Sequence, residues 1–313
     1  MKDILLVSII INNYNYERFL RDAIDSALDQ TYPNIEVVVV DDGSTDNSRE
    51  VITSYKDQII PVLKENGGQA SAFKAGFAAS KGDIICFLDS DDIFVPNKVE
   101  KIVNVFTSYQ DIGWCFHRLM RMDTNTGASL GLIPNETLSR ECDFREQIKT
   151  GKVSFGHPPT SALCFTRSLL ETILQLREVT APVGGDQQLR LAALALSKGF
   201  FLNEQLAFLR IHDNNAYSFR ADKQHLQLRA RLLTLTAYWL WVNFPEIAKF
   251  TNRLLAEGVG IYWRTGGIEQ EYREVIENYL YKVSQRERWE IRLRAIYYWI
   301  KGDPQVKGYR KSS

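Results

Sequence analysis

The chain contains Ile84-Ile85-Cys86-Phe87-Leu88-Asp89-Ser90-Asp91-Asp92, an apolar run that passes directly into three acids. The run is typical of a strand that is buried on both faces. Carboxylates this close together repel one another and resist dehydration, so they are tolerated where water or a divalent cation neutralises them. Hard cations such as Mg²⁺ or Mn²⁺ usually bridge carboxylates to substrate phosphates. The stretch therefore predicts a metal site for a phosphate-bearing substrate, and the alternative is a solvated acidic loop that caps the next helix.

Similar apolar runs alternate with helical patterns before and after this stretch. The runs lie at residues 5–11, 35–40, 59–63, 84–88 and 113–119, and the helical patterns at 17–29, 47–54, 71–79 and 96–109. This alternation predicts βαβ units and a largely parallel sheet, whose ligands bind beyond the C-terminal ends of the strands. A polar loop is predicted at 121–150, further strands at 162–166 and 200–210, and helices from residue 221 onward.

Composition excludes several classes of protein. Lys plus Arg equals Asp plus Glu at 38 each, so no overall basic field favours nucleic-acid binding. The four cysteines form no C-x-x-C pair, which argues against zinc and against a disulfide framework, and favours a reducing cytoplasm. No apolar run is long enough to span a bilayer, although attachment to a membrane surface stays open.

A second acidic motif, Asp41-Asp42-Gly43-Ser44-Thr45-Asp46, follows the predicted strand at 35–40. An Asp at a strand end can accept hydrogen bonds from a ring N–H or a ribose hydroxyl, and Gly43 permits a sharp turn. The alternative is an Asp-Gly turn with a helix cap. That alternative explains Gly43 to Asp46 but leaves the pair of acids, Asp41 and Asp42, unexplained.

Five motifs in this order resemble the family 2 glycosyltransferases of GT-A fold over residues 5–215. They are Val7-Ser8-Ile9-Ile10-Ile11-Asn12-Asn13-Tyr14-Asn15, Leu28-Asp29-Gln30-Thr31-Tyr32-Pro33, the Asp41 motif, Asn66-Gly67-Gly68 and Asp89-Ser90-Asp91-Asp92. The resemblance implies an α/β fold with a doubly wound, mostly parallel sheet, with a nucleotide-sugar-binding half at 1–110 and an acceptor-binding half at 111–220. The helical pattern from residue 221 onward predicts a helical C-terminal extension at 221–313.

The resemblance assigns site residues around the donor. Asn12 and Tyr14 match positions that contact and stack on the nucleotide base, and Asp42 matches the Asp that hydrogen-bonds the base. Asp89 matches the acid towards the ribose, and Asp91 matches the ligand of Mn²⁺ or Mg²⁺. Asp92 stays open between facing the sugar and capping the next helix.

On the acceptor side, Asp186 in Gly184-Gly185-Asp186-Gln187-Gln188-Leu189-Arg190 matches the family's catalytic base. The family commonly has Glu where this chain has Gly185, which puts any contact made by that Glu in doubt. Without the resemblance, Asp186 reads as the N-cap of a helix at 187–197.

Further basic residues belong to the implied site. In Arg210-Ile211-His212, which resembles an R-x-H segment of the family, Arg210 is expected near the phosphates and His212 on the metal. Lys74 is expected either to reach phosphate or to lie on a solvated helix face. His157 is a loop residue whose place in an acceptor site stays open.

The implied activity is an inverting, metal-dependent transfer of a sugar from a nucleoside diphosphate sugar, with a UDP-sugar favoured, to a glycan or lipid-linked acceptor. Such a reaction would serve the synthesis of cell-surface polysaccharide or glycoconjugate in the cytoplasm. A sugar-nucleotide nucleotidyltransferase is disfavoured because the N-terminal strand is followed by Asn-Asn-Tyr-Asn rather than a Gly-rich phosphate loop. An inactive nucleotide-sugar or glycan-binding protein of the same fold is the remaining alternative.

The C-terminal segment is basic and aromatic. Between residues 282 and 311 its basic members are Lys282, Arg286, Arg288, Arg292, Arg294, Lys301, Lys307, Arg310 and Lys311, against Glu287, Glu290 and Asp303. Trp289, Tyr297, Tyr298 and Trp299 interleave with them. Such a helix can lie on the inner face of an anionic membrane, pack on the main domain, or form a homodimer interface.

Overall fold

The computed structural model describes residues 4–178, 185–213, 215 and 222–302. Two compact units emerge from the contacts within the chain. The first takes in residues up to Arg145, then Ser154–Leu176 and the described part of Gly184–Asn214. The second takes in Glu146–Val153 and the described residues from Asn215 onward. The predicted boundary at residues 220 and 221 lies outside the described residues, and the functional assignment of the two halves of the sheet domain stays a prediction.

The first unit is a ten-stranded sheet with helices. Its strands are β1 (Val7–Asn13), β2 (Ile35–Asp42), β3 (Ile60–Lys64), β4 (Ile84–Asp89), β5 (Ile93–Phe94), β6 (Trp114–Asp123), β7 (Ser129–Ile133), β8 (Arg140–Cys142), β9 (Leu163–Thr166) and β10 (Gly199–Ile211). The helices up to its last strand are α1 (Glu17–Leu28), α2 (Ser48–Ser54), α3 (Gln69–Ala79), α4 (Lys98–Ser108), the short α5 (Arg145–Lys149) at the junction of the units, α6 (Arg167–Leu174) and α7 (Gly185–Leu196).

The order of strands in the sheet is β3-β2-β1-β4-β9-β6-β10-β5, with β7 on β6 and β8 on β10. The strands β3, β2, β1 and β4 are mutually parallel. Most apolar side chains of β1, β2 and β4 are buried on both faces of the sheet, as continuous apolar runs predict, whereas those of the edge strand β3 are half-buried or exposed. Beyond β4, β9 is antiparallel to both neighbours, while β10 is parallel to β6. The predicted α/β fold class is confirmed, and the sheet is mixed in its second half.

The parallel register brings three chain segments to one edge of the sheet. Asn12 of β1 lies opposite both Val40 of β2 and Asp89 of β4, and Asn13 lies opposite Asp41. Because parallel strands end at the same edge, both acidic motifs and the Asn12 segment meet there. Helix α3 lies close against this part of the sheet, since a Cβ on its Gly76 would lie 2.4 Å from Cγ2 of Ile10.

The loop predicted at 121–150 is wrong in detail. Strand β6 continues to Asp123, and β7, β8 and α5 follow within the predicted loop. Three of the five residues of β7 are exposed and the other two are half-buried, so no buried face marks this strand in the sequence. These short strands form because β6 and β10 offer backbone partners, which is a tertiary cause.

The second unit is helical, as predicted, with α8 (Lys223–Asn243), α9 (Ala248–Thr265), α10 (Gln270–Lys282) and α11 (Gln285–Lys301). Its core includes Leu255, Tyr262, Tyr279 and Ile291. Helix α11 approaches α9 closely at Gly260, where a Cβ would lie 2.8 Å from the carbonyl oxygen of Ala295. Within the described part of the chain, no helix combines the length and the apolar character needed to cross a membrane.

Candidate active site

Asp89 ends β4 and is held there by neighbours from three other segments. Nδ2 of Asn12 donates to Oδ1 of Asp89 at 2.8 Å, and the backbone N–H of Asp89 donates to Oγ of Ser161 at 3.1 Å. Burial, reinforced by the charge of Asp91, raises the pKa of Asp89 to about 7. A carboxyl with so high a pKa lacks a neutralising positive charge in its surroundings.

Asp91 and Asp92 complete an acidic cluster with Asp89. The three residues each offer a carboxylate oxygen, and these oxygens lie within 4.8 Å of one another. Nε2 of His212, at the end of β10, lies 3.1 Å from Oδ2 of Asp91, and its ring stacks on Phe19. Oxygen ligands with an adjacent imidazole suit a hard divalent cation such as Mg²⁺ or Mn²⁺. The donor set therefore fits a hard divalent cation, and the assignment of Asp91, Asp89 and His212 as its ligands stays a prediction.

Asp92 faces the protein interior and is fully buried. Its Oδ2 accepts a hydrogen bond from Oγ of Ser161 at 2.5 Å, and its Oδ1 accepts one from the backbone N–H of Arg210 at 3.1 Å. Burial, followed by the charges of Asp91 and Asp89, raises the pKa of Asp92 well above its ordinary value. The two roles left open for Asp92, facing the sugar and capping the next helix, stay predictions. The hydrogen bonds of its carboxyl group tie the end of β4 to β10 and to the turn at Ser161.

The guanidinium of Arg210 is buried among protein partners. Its Nη1 lies 2.5 Å from Oδ2 of Asp22, its Nη2 donates to the carbonyl of Phe19 at 3.0 Å, and its Nε donates to the carbonyl of Asp91. These bonds fix the segment that carries His212 against α1 and the acidic cluster. The phosphate contact predicted for Arg210 stays a prediction, and its bonds to Asp22, Phe19 and Asp91 are those of a positioning residue.

Asp42 ends β2 with its carboxylate surrounded by donors. Oδ1 accepts from Nζ of Lys64 at 2.5 Å and from the backbone N–H of Gly67 at 3.1 Å, and Oδ2 accepts from that of Gly68 at 2.7 Å. A carboxylate can accept about four hydrogen bonds, so one position is left for a ligand. These hydrogen bonds order the Asn66-Gly67-Gly68 loop beside the predicted binding site of the nucleotide base.

Asp41 is also buried, and it holds the loops rather than a ligand. It accepts hydrogen bonds from Asn13, from the backbone N–H of Ser44 and from Nε of Arg49. These bonds outweigh the effect of its burial and lower its pKa. The structure thereby explains the pair of acids that the turn alone did not, with Asp41 as the internal member.

The remaining predicted residues differ in their exposure to solvent. Tyr14 follows β1 with its ring 47% exposed, which leaves a face for stacking. Lys74 is half-buried on α3, and His157 is exposed in the loop before the 3₁₀ turn Thr160–Ala162. The roles predicted for Tyr14, Lys74 and Asn12 stay predictions.

Asp186 lies in the first turn of α7 and is connected to Asp89 through one side chain. Nε2 of Gln69 lies 3.5 Å from Oδ1 of Asp89, and Oε1 of Gln69 accepts from the backbone N–H of Asp186 at 3.4 Å. The negative charge of Asp186 contributes to the raised pKa of Asp89. The structure therefore brings Asp186 to the acidic cluster, although Gly184 of the same motif lies outside the described residues.

Burial raises the pKa of Asp186, and the positive charge of Arg190 opposes that rise. Arg190 lies one helical turn after Asp186 and is itself buried, which lowers its pKa to about 10. An Arg with that pKa is still charged at neutral pH. Oδ1 of Asp186 accepts from the backbone N–H of Gln187 at 2.7 Å.

Gly185 occupies a place where a side chain has no room. A Cβ there would lie 2.8 Å from the ring of Phe73 and 3.1 Å from the backbone nitrogen of Ala70. Helix α7 therefore packs directly on α3, which is the helix that begins with Gln69. The Glu that the family commonly has before the base does not fit this close contact.

Sequence reasoning missed three residues of the site, namely Gln69, Ser161 and Arg190. Gln69 follows the Gly67-Gly68 turn and begins α3, and Ser161 lies in a 3₁₀ turn after Pro158 and Pro159. Neither pattern indicates a role by itself. The spacing of four between Asp186 and Arg190 was a usable signal, because residues four apart face the same side of a helix.

Comparison with known proteins gives a family and a fold. The sequence matches "Glycosyl transferase family 2" over residues 8–173. It is 39% identical over 220 residues to an uncharacterized glycosyltransferase of Nostoc sp., covering 69% of this chain and 68% of that protein. It is 40% identical over 139 residues to an uncharacterized glycosyltransferase of Rickettsia prowazekii, covering 44% of this chain but only 43% of that protein's length.

Solved structures share the fold at low sequence identity. TarS 1–349 of S. aureus, in complex with UDP-GlcNAc, is similar with a TM-score of 0.63 and 16% identity, covering 99% of this chain and 93% of that one. The mannosyltransferase PcManGT from Pyrobaculum calidifontis, in complex with GDP-Man and Mn²⁺, is similar with a TM-score of 0.52 and 15% identity, covering 99% and 89%. These similarities support a GT-A type of α/β fold for this chain.

The bond between Asp92 and Ser161 yields a first prediction. Ser161→Ala should lower the free energy of unfolding by about 1–3 kcal/mol, because it leaves Oδ2 of buried Asp92 and the N–H of Asp89 without their hydroxyl partner. Urea unfolding of Ser161→Ala, Asp92→Asn and the double variant measures the coupling of the two side chains. Ser71→Ala, on the half-buried face of α3, is the control for loss of a hydroxyl. Strictly additive losses in the double variant would contradict a direct bond.

Proposed function

Since this chain belongs to the family 2 glycosyltransferases, we propose that it transfers a sugar from a nucleoside diphosphate sugar to an acceptor hydroxyl with inversion at the anomeric carbon. The proposal is supported most directly by Gln69, which joins the acidic cluster at Asp89 to the backbone of Asp186. One side of the site thus carries the residues suited to a departing diphosphate, and the other side carries a single carboxyl suited to a proton. Both are needed for one in-line displacement.

The acidic cluster is the proposed place of the diphosphate. Asp91, Asp89 and His212 would hold Mg²⁺ or Mn²⁺, which neutralises the charge that develops on a leaving diphosphate. Asp92 and Arg210 position these ligands through their buried hydrogen bonds. Burial and the charge of Asp91 raise the pKa of Asp89, and a bound divalent cation would favour the ionised form of this carboxyl group.

Asp186 is the proposed base. As the acceptor oxygen forms its bond to the anomeric carbon, the bond from that carbon to the diphosphate oxygen breaks and the acceptor proton passes to the Asp186 carboxylate. Burial raises the pKa of Asp186, which makes its carboxylate a stronger base than an exposed one. The positive charge of Arg190 opposes this rise in pKa and so favours the ionised carboxylate that a base requires.

The nucleotide is proposed to bind between Tyr14 and Asp42. The exposed ring of Tyr14 offers a stacking face, Asn12 lines the strand end, and Asp42 has one acceptor position left beside the Gly67-Gly68 loop. A UDP-sugar is favoured, because the carboxylate suits the ring N–H of uracil and because TarS binds UDP-GlcNAc in the same fold. Lys74 is placed as a further phosphate contact.

The wider role follows from this chemistry. The acceptor is proposed to be a glycan or a lipid-linked glycan, in the synthesis of cell-surface polysaccharide or glycoconjugate in the cytoplasm. Residues 1–110 would bind the nucleotide sugar and residues 111–220 the acceptor. The loops around the site would determine which sugar is transferred and which linkage is formed.

A thermal-shift panel of UDP, GDP and dTDP, each with and without Mn²⁺, tests the donor site. UDP with Mn²⁺ should raise the unfolding midpoint by about 5 °C at a hundredfold excess over its Kd, and UDP alone should raise it less. Asp91→Asn should remove the metal-dependent part, whereas the exposed control Asp57→Asn should leave it unchanged. The absence of a shift with every nucleotide would contradict the proposal.

Replacing the proposed base separates chemistry from binding. Asp186→Asn should lower turnover by about 10²–10⁴-fold, because general base catalysis typically contributes this much. The UDP-dependent thermal shift should persist in this variant, since Asn keeps an oxygen for the N–H of Gln187. Full turnover by Asp186→Asn would remove the assignment, and loss of the thermal shift as well would indicate a structural role.

The charge of Arg190 should influence the pH at which kcat/KM falls on the acidic side of its pH profile. The base works when deprotonated, so activity falls as pH drops through the pKa of Asp186. Arg190 lowers that pKa, and therefore Arg190→Gln should move the acidic limb of kcat/KM to higher pH, while Arg190→Lys should keep it nearer the wild-type position. A limb that does not move in Arg190→Gln would show that another group titrates. Circular dichroism controls for folding, since Arg190 is buried.

A further inference from the structure

Helix α11 has two apolar faces, and among the described residues only one of these faces packs in the core of the helical unit. Ile291 and Ala295 are buried in the core of the helical unit, next to α9. On the opposite side of the helix lie Trp289, Leu293, Ile296 and Ile300, here called the outer stripe. Three of them are largely exposed, with Trp289 and Leu293 at 64% and Ile300 at 73%.

The outer stripe follows helical periodicity. Its members recur at spacings of four, three and four residues, which places them in one row about half a turn away from Ile291 and Ala295. Single exposed apolar residues are ordinary on protein surfaces, but a continuous row of large ones marks a contact surface. The row extends over three turns of the helix, so it forms a surface rather than a local defect in packing.

Basic residues flank the outer stripe. Between Gln285 and Lys301, α11 carries the basic residues Arg286, Arg288, Arg292, Arg294 and Lys301 and the acidic residues Glu287 and Glu290. Both acids have internal partners, since Glu287 forms a capping box with Ser284 and Glu290 pairs with Arg294 at 2.9 Å. The charge beside the stripe is therefore positive, chiefly from Arg286, Arg292 and Lys301.

Aromatic rings lie between the stripe and these charges. The guanidinium of Arg292 lies 5.8 Å from the ring of Trp289, and Nζ of Lys301 lies 5.2 Å from the ring of Tyr297. Tyr297 and Trp299 are about half exposed. Aromatic rings with one apolar body and one polar tip are favoured where an apolar phase meets water, and basic side chains extend from there towards anionic groups.

We propose that α11 is a docking helix for an anionic lipid surface, with the outer stripe at the acyl boundary and Arg286, Arg292 and Lys301 among the headgroups. An apolar row flanked by positive charge is complementary to such a surface in both respects. A second copy of the helix would instead bring its own basic residues against these, and like charges oppose that contact. The inference goes beyond the proposed transfer reaction and requires neither a donor nor Asp186.

The part of the predicted basic segment at residues 303–313 lies outside the described residues. The proposal therefore rests on α11 alone, whose fold and exposure are described throughout. Its substitutions are designed on exposed side chains, so that the core of the helical unit, including Ile291 and Ala295, is left unchanged.

Vesicle flotation with the full chain tests the proposal. The chain should bind vesicles of phosphatidylcholine and phosphatidylglycerol, bind pure phosphatidylcholine far more weakly, and lose binding as salt rises. Leu293→Ser with Ile300→Ser should weaken binding at least about tenfold, because the apolar contact is lost. Arg286→Gln with Arg292→Gln should weaken it about twenty-five-fold, or about fivefold per charge.

Matched controls distinguish the effect of changing the outer stripe from the effect of removing exposed apolar or charged residues elsewhere on the surface. Leu138→Ser removes a similarly exposed Leu from the strand unit, and Arg273→Gln with Lys81→Gln removes two exposed charges elsewhere. All variants should keep the wild-type unfolding midpoint, and the control variants should keep wild-type binding to vesicles. Flotation that is equally strong on both kinds of vesicle, or absent from both, would overturn the proposal. So would a dimer in light scattering that dissociates in Leu293→Ser with Ile300→Ser, because a second copy would then cover the stripe.

Discussion

The buried carboxylate of Asp92 is the constraint on which the rest of the site depends. A carboxylate without solvent is stable only with hydrogen-bond donors, and here the donors are the hydroxyl of Ser161 and the backbone N–H of Arg210. The same hydroxyl accepts the N–H of Asp89, and Nζ of the buried Lys98 donates to the carbonyl of Ser161 at 2.8 Å. One internal acid thus fixes the end of β4, the turn before β9 and the end of β10. Because these elements are far apart in sequence, the acidic cluster exists only when the whole sheet has formed.

The electrostatics of the cluster are unbalanced, and that imbalance is what makes the site suited to a cation and to phosphate. Burial raises the pKa of both Asp89 and Asp92, and the neighbouring carboxylates raise them further. Asp41 shows the opposite case within the same sheet edge, because hydrogen bonds from Asn13, Ser44 and Arg49 lower its pKa. Hydrogen bonds favour the charged form of Asp41, whereas in Asp89 and Asp92 burial and the neighbouring carboxylates outweigh the hydrogen bonds that they accept. Asp186 is an intermediate case, because burial raises its pKa and the positive charge of Arg190 partly offsets that rise.

The two units differ in how they use apolar surface. In the sheet unit, β1, β2 and β4 are covered on both faces, and the residues predicted to form the donor site lie at the ends of these strands. In the helical unit, one face of α11 packs in the core, and the outer stripe of large apolar side chains is exposed among basic residues. Exposed apolar area of this kind is unfavourable in water, and together with its basic neighbours it supports the proposal that α11 binds an anionic lipid surface. On that proposal the same helix would serve both the core and a contact surface.

The sequence by itself determined the parallel half of the sheet and the residues at its edge. Continuous apolar runs followed by Asn12, Asp42 and Asp89 are local patterns, and parallel strands bring their ends together without further information. The tertiary structure decided which acids face inward, since Asp41 and Asp92 differ from Asp42 and Asp91 only in the partners that packing gives them. It also decided the parts of the site played by Gln69, Ser161 and Gly185, whose contacts cross from 69 to 186 and from 92 to 161. Hydrogen bonds and close packing between segments so distant in sequence produce no periodic pattern in the chain. The role of each of these residues depends on a neighbour that comes close only when the protein folds.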